Sequence, residues 1–195
     1  MAEKNKLVCI CGMCGAGKSV VADEFVKAGY QFIRFGQITL DICKKQGDAS
    51  EANQKKIREG LRVEHGMAAF AKLNIPKFDE ALTKGHVIGD GLYSWSEYKV
   101  LKEKYGDKFK IIAIWAPPET RYDRISERKP DANDKDLRKH QFTREEAISR
   151  DYAEIGNIEK GGPIAMADYL LTNTGTIDEL IAKTQKIIQE LTAVT

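Results

Sequence analysis

The sequence predicts a three-layer α/β/α fold, a five-stranded parallel sheet covered by helices on both faces. Three observations predict it. Short apolar runs alternate with longer amphipathic ones along the chain, the pattern of parallel strands joined by covering helices. One run, Phe109-Lys-Ile-Ile-Ala-Ile-Trp115, is apolar at nearly every position, as a strand buried on both faces must be. A glycine-rich stretch, Gly12-Met-Cys-Gly-Ala-Gly-Lys-Ser19, separates the first apolar run from the first amphipathic one.

Each element has a local reason. Residues 6–11 (KLVCIC) read as a first strand. Residues 18–27 follow as a helix, with Val21 and Phe25 four apart on one face. Residues 30–35 form a second strand, and 48–70 are mostly helical and polar, entered through Asp48 or Ser50 as a cap. A helix over 75–84 is closed by Gly85, and 86–90 (HVIGD) is the third strand. Ser94-Trp-Ser-Glu97 is a capping box opening a helix to Tyr105, which Gly106 ends. After the fourth strand, 109–115, Pro117-Pro118 starts a helix running through Arg128. Thr143-Arg-Glu-Glu146 is a second capping box, and 167–171 is the last strand. Thr176-Ile-Asp-Glu179 caps a final helix whose apolar positions include Leu180, Ile187 and Leu191.

The 195 residues suit one domain, 1–195, with one core. Two stretches do not fit that core: 36–84, a long excursion between the second and third strands, and 127–151, dense in charge and poor in large apolar groups. They are expected to serve as an acceptor-binding insertion and a lid. With 42% hydrophobic and 31% charged residues and a net charge of +2, the composition is ordinary for a soluble globular chain. That charge gives no reason to expect a nucleic-acid partner. No apolar run is long enough to cross a bilayer, so no membrane partner is expected. The N-terminal apolar stretch is too short for a secretory signal, and the expected location is cytoplasmic. Cys9, Cys11 and Cys14 lie too close, and too few, for a structural zinc site. They read as two small residues on one strand face and one in the loop.

The loop matches G-x-x-x-x-G-K-[ST] through Gly12, Gly17, Lys18 and Ser19, with a strand before it and a helix after. A polyphosphate needs many donors and little side-chain bulk. Glycines allow backbone N–H groups to wrap it, and the helix start aims its positive dipole end at the same anion. Lys18 adds a charge on the outer phosphates and Ser19 offers a hydroxyl to a magnesium ion. The sequence therefore predicts ATP with Mg²⁺ bound by Gly12, Cys14, Gly15, Ala16, Gly17, Lys18, Ser19 and Val20. A GTPase would carry Asn-Lys-x-Asp, and the one Asn-Lys pair here, Asn5-Lys6, runs on into Leu7-Val8 with no Asp. A remodelling ATPase usually has a glutamate after its strand-three aspartate, where Asp90 is followed by Gly91. A small kinase is left, which needs a second-substrate site and a means of excluding water.

The chain resembles the P-loop nucleotide kinases of the dephospho-CoA kinase and adenylate kinase group, and most of all a branch of that group whose acceptors are uncharacterised. The likeness is carried by GMCGAGKS at 12–19, VIGDG at 87–91, APPETRYDRISER at 116–128 and ADYLLTNTGTIDEL at 167–180. It implies a kinase that moves the γ-phosphoryl group of ATP to a nucleoside monophosphate or a dephospho-CoA-like acceptor. It implies that Asp90 binds magnesium or orients the acceptor, that Arg124 stacks on adenine, and that Arg128 reaches the transferring group. Asn173 and Gly175 would line the adenine. Arg121 shares a helix face with Arg124 and Arg128, and Arg144 and Arg150 lie in the lid's returning arm. Arg34 and Arg62 are expected to face the acceptor's phosphate. The relatives carry an aspartate just after strand two, where this chain has Phe35-Gly-Gln37, with Asp41 one turn further. A phosphate acceptor is already ionised and needs no base, which favours a phosphorylated acceptor. The same loss motivates an alternative, an ATP-binding regulatory module with little turnover.

Overall fold

The computed structural model describes residues 5–128 and 142–193. Five parallel strands form one sheet: β1 (Leu7–Cys11), β2 (Gln31–Arg34), β3 (Val87–Asp90), β4 (Phe109–Trp115) and β5 (Tyr169–Thr172), in the order β2-β3-β1-β4-β5. β1 sits in the middle and every residue of it is buried, as its unbroken apolar run requires. Its alternate side chains feed two cores. Leu7, Cys9 and Cys11 join Phe70, Phe78, Leu101 and Phe109 on one face. Val8 and Ile10 join Phe25, Ile112, Leu180 and Leu191 on the other. Cys9 and Cys11 are therefore small core residues, and among the described residues no group of three or more metal-ligating side chains assembles.

Helix α1 (Lys18–Lys27) and helix α9 (Ile177–Thr192) cover the second face through Val21, Phe25, Leu180 and Ile187. The first face is covered by α4 (Ala69–Leu82) and α5 (Trp95–Tyr105), with the short α8 (Gly161–Ala165) beside them. All three predicted capping boxes form, at Ser94–Glu97, Thr143–Glu146 and Thr176–Glu179, each with both reciprocal bonds. α6 (Pro118–Ser126) begins at its proline, and α7 (Arg144–Ile158) begins after Thr143.

The excursion is divided differently from the expectation. α2 (Gln37–Gln46) forms where no helix had been expected, followed by α3 (Glu51–His65) capped by Ser50. The break falls at Gly66, at φ 82°, and α4 then runs unbroken through Pro76. Asn74, two residues before the proline, ties the helix to the sheet: its buried amide donates to Phe70 O (2.8 Å) within the helix and to Phe35 O (3.1 Å) just after β2. Phe70 and Phe78 on either side of the proline are fully buried, so core packing holds the helix across it. The last strand also shifts, to Tyr169–Thr172, because Asp168 turns its carboxylate back to the Ile111 N–H (2.8 Å) before pairing with β4 begins.

The register sets the site. Arg34 lies beside Asp90, and Asp90 beside Ile10, so the ends of β2, β3 and β1 share one edge of the sheet. The chain leaves β1 toward β2 on one side and returns through β3 to β4 on the other. The carboxyl edge at such a reversal is where open α/β sheets hold ligands. No helix among the described residues is long and apolar enough to cross a membrane.

Candidate functional site

The glycine loop occupies that edge, between β1 and α1. Gly17 caps α1 at φ 104°, and a Cβ there would stand 2.4 Å from the Asn173 side-chain nitrogen. Gly12, at φ 143°, passes so close to β4 that a Cβ would stand 2.4 Å from the Ile114 carbonyl oxygen. Both the left-handed backbone and the close approach restrict these positions to glycine. Asn173 fastens the back of the loop. Its Nδ2 donates to Ala16 O (2.8 Å), its own N–H donates to Trp115 O (2.8 Å), and its carbonyl accepts from Arg124 Nη2 (3.1 Å). Arg124, Asn173 and the loop thus meet behind the phosphate turn. Arg124 Nη1 is buried with no hydrogen-bond partner among the described residues. Gly175 lies in the same connection, against the Glu179 carboxylate, and Val20 packs into the core under the loop.

In front of the loop lies a cleft of about 140 Å³. Cys14, Gly15, Gly17, Lys18 and Ser19 form its floor; Arg34 and Asp90 line it from the ends of β2 and β3. Arg128, just after α6, and Arg150, on α7, also line it. Lys18 Nζ donates to Gly12 O and Met13 O, each at 3.0 Å, which folds the side chain over its own loop. Burial lowers its proton affinity, and the neighbouring Lys160 ammonium lowers it further. Ser19 and Asp90 bring a hydroxyl and a carboxylate to one cleft, hard oxygen donors of the kind a magnesium ion takes.

The three arginines of the predicted basic face separate. α6 ends at Ser126, so Arg128 stands beyond the helix and reaches the cleft from the chain that follows. Arg121 is 4% exposed and forms a two-pronged pair with Asp151 of α7, Nη1–Oδ1 3.1 Å and Nη2–Oδ2 2.6 Å. Its remaining donors go to Ala116 O and to Cys14 O in the glycine loop, both at 3.1 Å, and Tyr122 donates its hydroxyl to Asp151 Oδ2. Arg121 therefore ties α6, α7 and the loop together. Arg144 binds Asp123 (2.5 Å) and Glu119, acids of α6, and lies over the Tyr122 ring instead of lining the cleft. The tip of the predicted lid falls outside the described residues.

Two charged side chains in the cleft were missed from sequence. Glu154 accepts from Arg150 Nε (3.1 Å) and from Lys160 Nζ (2.5 Å), and both Glu154 and Lys160 line the cleft. Burial alone would raise the Glu154 carboxyl, yet Lys160 and Arg150 outweigh it and hold it down at about 2. A Glu four residues after an Arg signals the first contact. Nothing in the sequence brings Lys160 to the same carboxylate, because the turn after α7 decides it. Tyr93 adds its ring, 5.3 Å from the Lys160 ammonium.

On the acceptor side the expectations divide. Arg34 lines the cleft, whereas Arg62 does not; its guanidinium lies 5.3 Å above the Phe70 ring with Nε buried and unpartnered among the described residues. Gln37 Nε2 donates to Asp41 Oδ1 (2.9 Å), an exposed pair, and neither residue lines the cleft.

A central parallel sheet with a phosphate loop at its reversal point, helices on both faces and a cation-lined cleft define the class: a P-loop kinase-like domain. The chain belongs to the family described as AAA domain (AAA_18), whose model matches residues 8–152. Relatives along nearly the whole length are UPF0200 proteins. That of Thermococcus kodakarensis is 33% identical over 189 residues, covering 95% of this chain and 97% of the relative. That of Pyrococcus furiosus is 30% identical, covering 93% and 95%. Similar solved structures include TT1252 from Thermus thermophilus, with a TM-score of 0.62 at 17% identity, covering 98% of this chain and all of that one. A shikimate kinase from Acinetobacter baumannii in complex with shikimate has a TM-score of 0.56 at 18% identity, covering 97% and 94%.

Proposed function

We propose that this protein is a magnesium-dependent kinase that transfers the γ-phosphoryl group of ATP to a nucleotide or nucleotide-like coenzyme carrying a phosphate. The observation that carries the reading is the cleft itself: Lys18 and Ser19 of the loop face Arg34 and Asp90 from adjoining strand ends, with Arg128 and Arg150 over them. Among the described lining residues five cations (Lys18, Arg34, Arg128, Arg150, Lys160) meet two carboxylates (Asp90, Glu154). That excess of three positive charges suits a polyanion. The fold shared with a shikimate kinase and a gluconokinase supports phosphoryl transfer as the reaction class.

In this reading the acceptor oxygen attacks the γ-phosphorus, the bond to the β,γ-bridging oxygen breaks, and its electron pair leaves with ADP. Ser19 and Asp90 would hold the magnesium ion, which neutralises charge on the β- and γ-phosphates. The side chains contribute position and charge. Lys18 moves from its own loop carbonyls to the outer phosphates, Arg34 orients the acceptor, and Arg128 and Arg150 stabilise the transferring group and exclude water. Arg124 and Asn173 fix the adenine side, with the orphaned Arg124 Nη1 as the available donor. An ionised phosphate acceptor needs no base, consistent with Gln37 standing after β2. A hydroxyl acceptor would have to give its proton to Asp90.

The test is a coupled assay for ADP, with ATP, Mg²⁺ and a panel of nucleoside monophosphates and dephospho-CoA. We expect one acceptor class to raise ADP formation well above the acceptor-free rate, and Lys18→Ala to remove the increase while leaving the melting curve in place. Slow ADP release independent of every acceptor would favour the second reading, an ATP-binding regulatory module, which the exposed Gln37–Asp41 pair motivates.

A further inference from the structure

Lys160 stands outside every motif of the chain, and three features of it converge. It is 2% exposed, yet its side chain lines the phosphate cleft. Lys18 lines the same cleft, and the Lys160 charge lowers the Lys18 proton affinity, so two ammonium groups border one cleft. Like charges brought together in a buried site destabilise it unless an anion comes between them. Glu154 accepts from both Lys160 and Arg150, so one carboxylate serves two of the cleft's cations.

The backbone shows that this placement is built. Glu159, immediately before Lys160, is the only non-glycine residue at positive φ among the described residues (φ 53°, ψ 43°). A left-handed glutamate is strained by about 1 kcal/mol or more, and such residues gather at functional sites. The bend ends α7 and turns the Lys160 side chain back toward the sheet. Gly162 then fixes α8: a Cβ there would stand 2.8 Å from the Trp95 ring, so α8 lies flush against α5. The Tyr93 ring walls the ammonium on one side, leaving Glu154 and the cleft as its polar surroundings.

We propose that Lys160 is a ligand of the terminal phosphate of the bound nucleoside triphosphate, with Glu154 as the carboxylate that holds it in register beside Lys18. The inference rests on the kinase reading, because it takes the glycine loop to hold the inner phosphates. It adds a cation on the γ-phosphate that comes from the segment after the lid. Lys160 therefore discriminates triphosphate from diphosphate.

Calorimetric titration of the full chain tests this, with the Mg²⁺ complexes of the non-hydrolysable analogue AMPPNP and of ADP as the titrants. For Lys160→Met we expect AMPPNP affinity to fall about tenfold or more, the loss of a charge-assisted hydrogen bond, and ADP affinity to change less than about threefold. Lys160→Arg, which keeps the charge, should keep most of the preference. If Lys160→Met alone folds poorly because Glu154 is left buried and unpaired, Lys160→Met with Glu154→Gln removes that charge and carries the same comparison. Equal losses for both nucleotides, or none for either, overturn the assignment while leaving nucleotide binding intact. Failure of the unaltered chain to bind either nucleotide overturns the kinase reading with it.

Discussion

Replacing Asp151 by alanine removes one half of the pair that joins α7, through Arg121, to the glycine loop. Arg121 would keep its charge at 4% exposure and lose both carboxylate bonds, and Tyr122 would lose the acceptor of its hydroxyl. Breaking a buried pair from one side costs about 3–5 kcal/mol, because an uncompensated charge is left behind. For a domain of this size each kcal/mol shifts the melting temperature by about 2–4 °C, so Asp151→Ala should melt roughly 6–20 °C lower. Calorimetric melting at neutral pH is the assay. The companion variant Arg121→Met with Asp151→Leu deletes both charges in similar volume and should recover at least half of the loss. A drop smaller than about 1 kcal/mol in Asp151→Ala, or no recovery in the double variant, would refute the claim that this pair is fully desolvated. Because Arg121 also donates to Cys14 O, the single variant should bind nucleotide more weakly even at temperatures where it is folded.

Other perturbations give separate readouts. Gly17→Ala forces a Cβ to 2.4 Å from the Asn173 amide at a left-handed φ, so nucleotide affinity should drop at least tenfold, measured by titration calorimetry, while the melting curve moves by only a few degrees. Glu97 gives a pH signature: full burial pushes its carboxyl up to about 7 against the two backbone N–H bonds and the charges of Arg62 and Lys160, and its Oε1 has no partner among the described residues. The folded state then holds a proton that the unfolded state has released between about pH 4.5 and 7, so stability should fall as pH rises through that window, by about 3 kcal/mol at most. Urea unfolding at several pH values should show that decline, and Glu97→Gln should flatten it. An unchanged slope in Glu97→Gln would place the titration elsewhere.

What was legible in the sequence was local. The glycine loop is a run of eight residues whose conformation is dictated by its own glycines, and each capping box is written within four residues. β4 is predicted to the residue because its apolar run has sharp ends at Lys108 and Ala116-Pro117. Nothing local marks the start of α4 at Ala69, and a contact 39 positions away, Asn74 on Phe35 O, ties that helix to the end of β2. Arg121 looked like its neighbours on one helix face, and only Asp151, 30 residues on, sets it apart as a structural clamp. Lys160 reads as one more charge at a helix end. A left-handed glutamate before it and a glycine after it carry the side chain inward, and no periodicity encodes that turn.

The central claim is that the phosphoryl group goes from ATP to a small acceptor in the cleft between Lys18 and Arg34. Phosphorus NMR of the protein with ATP, Mg²⁺ and candidate nucleotide acceptors follows the group itself. The account predicts a new phosphorylated acceptor growing in step with ADP, and its loss in Lys18→Ala. Inorganic phosphate as the sole product with every nucleotide acceptor, at a rate that none of them changes, would contradict it.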